Sequence, residues 1–194
     1  MKLALISVHN KTGIVDFVKE LNKLGFVIIS TDGTLKILKE NGIQNVKHIS
    51  DVTDFPEILE GRIKTVHPKM LAGILAVRNN KKHMNDLKKF KIDTVDLVVC
   101  NLYPFEEVTK KGADIKTALE NIDVGGVTMI RAAAKNFENV IVVVNPDRYS
   151  QILDEYKHKG DVTVETRRVL AVEAFKETSR YDSVIWAFLE NVMI

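Results

Sequence analysis

Apolar and polar positions follow two different spacings along the chain. Short runs that are apolar at nearly every position are typical of strands covered on both faces, and they occur at residues 3–8, 26–29, 96–100 and 140–144, with a weaker one at 46–49. Elsewhere apolar residues recur every three or four positions, as in helices that bury one face. These stretches span residues 14–24, 35–40, 81–90, 115–120, 147–156, 163–178 and 183–192, and another begins at Val127. The alternation predicts an α/β fold with a mainly parallel sheet and helices on both faces.

Composition narrows the class of protein. The chain has 194 residues, of which 45% are hydrophobic and 28% charged, and it contains no repeat or linker, so we expect one globular domain over residues 1–194. A net charge of +2 gives no sign of a nucleic-acid-binding surface. The lysines of residues 81–91 have a single aromatic residue, Phe90, among them, which favours a solvated helix face over a surface that stacks bases. The lone Cys100, with no signal peptide or membrane span, favours the cytoplasm and excludes a membrane partner.

Two turns between a strand and a helix carry groups that suit a phosphate. Ligands of open parallel sheets bind at the carboxyl ends of strands, where helix N-termini offer N–H groups to anions. The candidate groups are Ser7, Lys11 and Thr12 after the first strand, and Thr31, Gly33 and Thr34 after the second. Helix caps and turns use the same residue types, so each turn alone favours a structural interpretation, and the pair leaves both open. Neither turn matches a nucleoside-triphosphate or dinucleotide motif.

Three later segments carry further candidate chemistry. Arg62 and Lys64 would point the same way from an extended segment, as in a binding site or on a charged edge strand. Tyr103 follows a predicted buried strand and is either a cap of the core or a donor lining a pocket. Asp123 and a glycine pair precede a helix on which Arg131 and Lys135 stand four residues apart, where like charges repel. A surface helix is the alternative for this last segment.

Taken in order, these segments resemble one family. The motifs are Ser-Val-x-x-Lys-Thr-Gly, Gly-Arg-Ile-Lys-Thr-Val-His-Pro, Cys-Asn-Leu-Tyr-Pro-Phe and Ile-Asp-Val-Gly-Gly-Val-Thr-Met-Ile-Arg-Ala-Ala-Ala-Lys-Asn. They are similar to those of the inosine monophosphate (IMP) cyclohydrolase domain, which is the N-terminal half of a bifunctional purine biosynthesis protein. The likeness extends over essentially the whole chain. It implies a methylglyoxal-synthase-like α/β fold, a three-layer sandwich.

The resemblance also implies a reaction. In this family the formyl group of formamidoimidazole carboxamide ribonucleotide condenses with the neighbouring carboxamide nitrogen, and water leaves to give IMP, without a cofactor or metal. The implied partners are this phosphorylated ribonucleotide and a second copy of the chain in a homodimer. Because the formyltransferase half is absent from the 194 residues, a separate formylating enzyme is a further expected partner. The initial Met1 and the absence of a tag or linker favour a natural single-function enzyme over an excised domain.

Site residues carry over by position. The phosphate is expected against the two turns described above, with Arg62, Lys64 and Thr65 on the phosphate and base side and Asn101 among the substrate-binding residues. The catalytic group implied by the likeness is Lys64, Tyr103, Asp123 and Lys135, in which Asp123 takes the carboxamide proton and the division of labour between the lysines stays open. The amides of Gly125 and Gly126 would serve the reacting oxygen, while Arg131 is left to structure or the dimer contact.

The chain departs from the family at some positions. His9 stands where a small residue is common, Asp32 where glycine is common, and Leu71 and Phe137 where histidines are common. We expect the Asp32 side chain to point away from the phosphate while its backbone binds. Two rival functions remain on the same fold, namely a lyase resembling methylglyoxal synthase and a non-catalytic module that binds a nucleotide effector.

Overall fold

The computed structural model describes residues 2–192, in which five parallel strands form one sheet in the order β3-β2-β1-β4-β5. The strands are β1 Lys2–Val8, β2 Phe26–Ser30, β3 Val46–His48, β4 Leu97–Asn101 and β5 Ile141–Val143. The register pairs Ile6 with Ser30 and Val8 with Asn101. The carboxyl ends of β2, β1 and β4 therefore lie side by side at one edge of the sheet, and the predicted parallel sheet is confirmed.

Helices cover both faces of this sheet. The helices are α1 Ile14–Lys23, α2 Asp32–Glu40, α3 Ile49–Thr53, α4 Pro68–Leu75, α5 Lys81–Lys89, α6 Phe105–Lys110, α7 Ile115–Glu120, α8 Val124–Lys135, α9 Tyr149–Lys159 and α10 Val164–Val192, with a 3-10 turn at Pro146–Arg148. Helix α1 packs with α2 and α9, whereas α8 packs with α4 and α10. The three-layer α/β arrangement expected from the sequence is thus present.

The core lies in the strands that the sequence marks as apolar. Leu5, Val98 and Val142 are each 0% exposed, because helices shield both faces of the sheet. Burying such a side chain contributes roughly 1.5–3 kcal/mol. Because both faces of the sheet are covered, consecutive apolar residues, rather than alternating ones, identified the strands.

Three local expectations were wrong. The predicted break between residues 178 and 183 is absent, since α10 continues through it and buries Thr178 and Tyr181. Helix α8 begins at Val124 rather than Val127, because the Asp123 side chain caps it ahead of the glycines. The segment around Arg62 is a tight turn closed by pairing of Ile58 with Ile63, not an extended strand.

No helix within residues 2–192 combines the length and the apolar character that crossing a bilayer requires.

Candidate active site

Hydroxyl groups gather where β1 and β2 end. The Ser7 and Thr31 hydroxyls lie 2.9 Å apart, which joins the two turns that the sequence had marked separately. The Thr34 hydroxyl accepts from the Val8 N–H and donates to the Val8 carbonyl, both at 3.2 Å. Thr34 therefore fixes the start of α2, which also contains Gly33, against the end of β1. Ser7 and Thr31 supply a pair of hydroxyls where β1 and β2 end.

The turn after β1 is shaped by Asn101 at the end of β4. The Asn101 side-chain oxygen accepts from the N–H groups of His9 (2.6 Å) and Asn10 (2.8 Å), and its amide donates to the Asn10 carbonyl at 3.1 Å. The Thr12 hydroxyl in turn donates to the Asn10 side chain at 2.7 Å. Asn101, predicted to bind substrate, thus supports the turn with both ends of its amide.

Lys11 brings a cation to the same turn. Its ammonium donates to the backbone carbonyls of Val8 and His9. Partial burial lowers the pKa of Lys11 below its usual value, since burial disfavours the charged form. A partly desolvated cation held at the Val8 carbonyl, to which the Thr34 hydroxyl also donates, suits a doubly charged anion.

The Asp123 carboxylate caps α8. Its Oδ1 accepts from the Gly126 N–H at 2.6 Å, and its own N–H donates to the Tyr181 hydroxyl at 2.8 Å. Burial raises the pKa of Asp123 above its usual value, against the opposing effects of the Gly126 N–H, the Lys64 ammonium and the Tyr103 N–H. A carboxylate with a raised pKa is a stronger base than an exposed one.

The two glycines make room for this carboxylate. A Cβ on Gly126 would lie 2.5 Å from Asp123 Oδ2 and 2.8 Å from Leu102 Cδ2, and one on Gly125 would collide with the Thr65 hydroxyl. Real Cβ contacts are not this short, so only glycine lets both side chains reach the start of α8. Because the Gly126 N–H is donated to Asp123, this amide supports the base in the structure.

Lys64 acts electrostatically on Asp123 and belongs to a network of carboxylates. Its ammonium is 3.5 Å from Glu57 Oε1, and Glu57 also shares a hydrogen bond with Asp32. That shared bond raises the pKa of Glu57 and lowers the pKa of Asp32. His48 Nε2 lies 2.8 Å from Asp32 Oδ1.

Sequence reasoning missed Glu57 and His48. Glu57 precedes Lys64 by seven positions, and only the turn with positive φ at Leu59, Glu60 and Gly61 returns the chain so that they meet. No periodic pattern marks such a contact. The prediction that Asp32 contacts phosphate through its backbone alone stays a prediction, although its carboxylate is engaged by His48 and Glu57.

Two predicted site residues lie apart from this cluster. Arg62 is 65% exposed and pairs with Glu120 of α7, so the shared direction expected for Arg62 and Lys64 was wrong, because the turn is not extended. Lys135 is the last residue of α8, and Asp123 is the N-terminal capping residue of the same helix. At a rise of 1.5 Å per residue the two are separated by about 18 Å along the helix.

Tyr103 lines the mouth of the site. It is 44% exposed, and its ring stands edge-on to His9 with centroids 5.6 Å apart. The Tyr103 N–H faces the Asp123 carboxylate. Of the two interpretations of this tyrosine, the exposed ring favours the pocket-lining one.

Among residues 2–192, no cluster of three or more His, Cys, Asp or Glu side chains that could hold a metal was found.

Comparison with known families divides the chain into two matches. Residues 13–128 match the sequence model of the MGS-like domain. Residues 133–193 match the model described as the AICARFT/IMPCHase bienzyme. The boundary falls within α8, so this helix joins the two matched regions.

Individual relatives agree with these matches. The chain is 53% identical to the bifunctional purine biosynthesis protein PurH of Persephonella marina, over 97% of this chain and 36% of that protein. It is 49% identical to PurH of Bacillus subtilis, over 100% of this chain and 38% of that protein. The chain thus spans a little over a third of the length of the curated relatives it matches.

A solved structure described as the crystal structure of ForH has the same fold. It superposes with a TM-score of 0.82 at 33% identity, covering 95% of this chain and 96% of that one. The chain therefore belongs to the MGS-like domain family, and its likeness within that family is to the N-terminal region of the PurH proteins.

Proposed function

We propose that the chain is an IMP cyclohydrolase, which closes the purine ring of formamidoimidazole carboxamide ribonucleotide with loss of water. One observation carries the proposal: the Lys64 ammonium acts electrostatically on the Asp123 carboxylate, which faces the Tyr103 N–H just after β4, at the edge of the sheet where β1 and β2 bring the Ser7 and Thr31 hydroxyls together. A base, an acid and an anion site in one place suit a phosphorylated substrate that needs proton transfer. The curated relatives are named as purine biosynthesis proteins, which supports this substrate class.

The chemistry follows from the groups present. The reacting groups already belong to one molecule, so the protein must mainly hold them in a reactive conformer. Asp123 takes a proton from the carboxamide nitrogen as that nitrogen bonds to the formyl carbon, and the formyl oxygen becomes an oxyanion. Lys64 and the amide of Gly125 at the start of α8 stabilise this oxyanion.

Loss of water completes the ring. Lys64 gives the oxyanion a proton to form a hydroxyl, and the protonated Asp123 gives a second proton as this oxygen leaves as water. The formamido nitrogen gives up its proton to the neutral Lys64 amine, which restores the ammonium and leaves the C=N bond of the product. In this assignment Tyr103 lines the base side of the pocket, and Thr65 contacts the substrate beside Gly125.

Lys135 enters this scheme only from a second copy of the chain. Its separation from Asp123 in one protomer is about 18 Å, too far for a shared proton. The face that presents Lys135 also exposes Val124, and the Arg131 guanidinium of that face lies 5.6 Å from the centre of the exposed Phe175 ring. Exposed apolar groups beside cations suit an interface between copies, and we assign the homodimer contact to this face.

An ultraviolet assay for IMP formation from the formylated ribonucleotide tests the proposal. Formation of IMP with saturable kinetics is the expected result. A lyase of the methylglyoxal synthase type would leave this substrate unchanged, and an effector module would bind IMP without turnover. Either outcome would replace the proposal with the corresponding rival.

Lys11→Ala should weaken binding of IMP about ten- to a hundredfold while changing inosine affinity little. A hydrogen bond to a charged group contributes roughly 1.5–3 kcal/mol, and inosine lacks the phosphate that Lys11 is assigned to hold. Calorimetric titration of both ligands measures the difference. Lys23→Ala, which removes an exposed lysine at the far end of α1, is the control. Equal losses for IMP and inosine would contradict the placement of the phosphate at Lys11.

The rate should fall with decreasing pH at a pKa above the ordinary aspartate value of 3.8. Burial raises the pKa of Asp123, and below its pKa the carboxyl group is protonated and accepts no further proton. The acid limb of kcat at saturating substrate measures this pKa. A flat profile down to pH values near 4 would contradict the assignment of Asp123 as a buried base.

A further inference from the structure

We infer that Tyr181 of α10 is the positioning residue for the catalytic base, an inference that rests on the proposed function. The Tyr181 hydroxyl accepts from the Asp123 N–H at 2.8 Å and donates to the Asn121 carbonyl at 3.1 Å. One hydroxyl thus joins both ends of the turn that delivers Asp123 to α8. The contact spans about sixty positions of sequence and links the last helix to the site.

The start of α8 explains why an outside hydroxyl is needed. In a common helix start, the third helical residue is Glu or Gln, and its side chain accepts the N–H of the capping residue. Here the third position is Gly126, which has no side chain to accept this N–H. A larger residue does not fit there, because Asp123 Oδ2 and Leu102 fill the space beside Gly126. The Asp123 N–H would therefore lack the reciprocal partner, and the Tyr181 hydroxyl takes that place.

Tyr181 is itself firmly held. It is only 3% exposed, and its ring packs edge-on to Phe105 of α6 with centroids 6.4 Å apart. Burial raises the pKa of Tyr181 to about 12, so the hydroxyl keeps the proton that it donates to Asn121. A buried anchor on α10 restricts the backbone of Asp123 and thereby the direction of its carboxylate.

Tyr181→Phe tests the inference because it removes only the hydroxyl. We expect kcat for IMP formation to fall about tenfold, because loss of one neutral hydrogen bond shifts the Asp123 carboxylate away from its reactive position by about that factor. KM should stay within twofold, because the phosphate-binding turns are unchanged. Tyr156→Phe is the matched control, since it removes the hydroxyl of another buried tyrosine, one whose ring packs edge-on to Phe26 at the start of β2, away from the carboxyl ends of the strands. The control should lose comparable stability and keep its kcat.

A double-mutant cycle separates positioning from general damage. If Tyr181 acts through Asp123, adding Tyr181→Phe to Asp123→Asn should lower the residual rate by less than twofold. Hydrogen exchange of the peptide containing residues 121–126 should become faster in Tyr181→Phe, while exchange around residues 7–13 stays unchanged. Full additivity in the cycle, an unchanged kcat, or a loss confined to KM would each overturn the inference.

The outcomes also distinguish this inference from the proposed function. An inactive Asp123→Asn with a fully active Tyr181→Phe would reject the role of Tyr181 alone. A wild-type chain that forms no IMP would reject the proposed function, and the exchange measurement would then still report whether the hydroxyl holds the turn.

Discussion

Asp123→Asn should lower kcat for IMP formation by about a hundred- to ten-thousandfold, the range typical of a removed general base. The substitution is nearly isosteric, and the amide oxygen can still accept the Gly126 N–H, so the cap of α8 and the fold are retained. The amide accepts no proton from the substrate. Affinity for IMP should therefore stay within a few-fold, which places the loss in the chemical step and not in binding.

A matched control uses the same change at another helix cap. Asp114 caps α7 and accepts the Thr117 N–H at 2.7 Å, as Asp123 accepts from Gly126, but it lies outside the cluster around Lys64. Asp114→Asn should keep full turnover. Rates measured by ultraviolet absorbance and IMP affinities measured by calorimetry give both quantities for each variant. Unchanged turnover in Asp123→Asn would remove Asp123 from the role of base.

How much of the site could be predicted depends on the distance over which each contact acts. The sheet was predictable because strand burial is written into consecutive apolar residues, as at 97–100. The two phosphate-suited turns could be named because ligands of parallel sheets bind at the carboxyl ends of strands, whereas the contact between Ser7 and Thr31 is a finding of the structure. Both inferences needed only local pattern and a general rule of sheet architecture.

Contacts made by irregular segments could not be predicted in this way. Arg62 and Lys64 separate because the chain reverses at residues 58–63. The reversal depends on positive φ angles at Leu59 and Glu60 as well as at Gly61, and the sequence signals only the glycine. The same reversal brings Glu57 to Lys64. Tyr181 was hidden for a different reason: polar neighbours interrupt the apolar spacing of α10, so the sequence suggested a break where the structure buries a hydroxyl.

The second large effect is expected from a single added methyl group. Gly126→Ala should lower kcat about a hundredfold or more, because the new Cβ would lie 2.5 Å from Asp123 Oδ2 and must displace the carboxylate. A displacement near 1 Å at a catalytic group costs about that much. In an ordinary helix the change from glycine to alanine raises the free energy of unfolding by roughly 0.5–1 kcal/mol. The loss of kcat should therefore exceed any loss of stability. Thermal unfolding and initial rates measure the two responses.

Gly125→Ala provides the comparison, because its Cβ would collide with the Thr65 hydroxyl and would lie at an ordinary contact distance of 4.0 Å from Asp123 Oδ1. Thr65 is assigned to substrate contact, so this variant should raise KM more than it lowers kcat. If the glycines served only helix flexibility, both variants would behave alike and both would be stabilised. A lower kcat in Gly126→Ala together with a higher KM in Gly125→Ala would instead mean that each glycine is required by the side chain it faces. The position of the Asp123 carboxylate beside Gly126 would then limit the rate. A Gly126→Ala variant with wild-type kcat would contradict that conclusion.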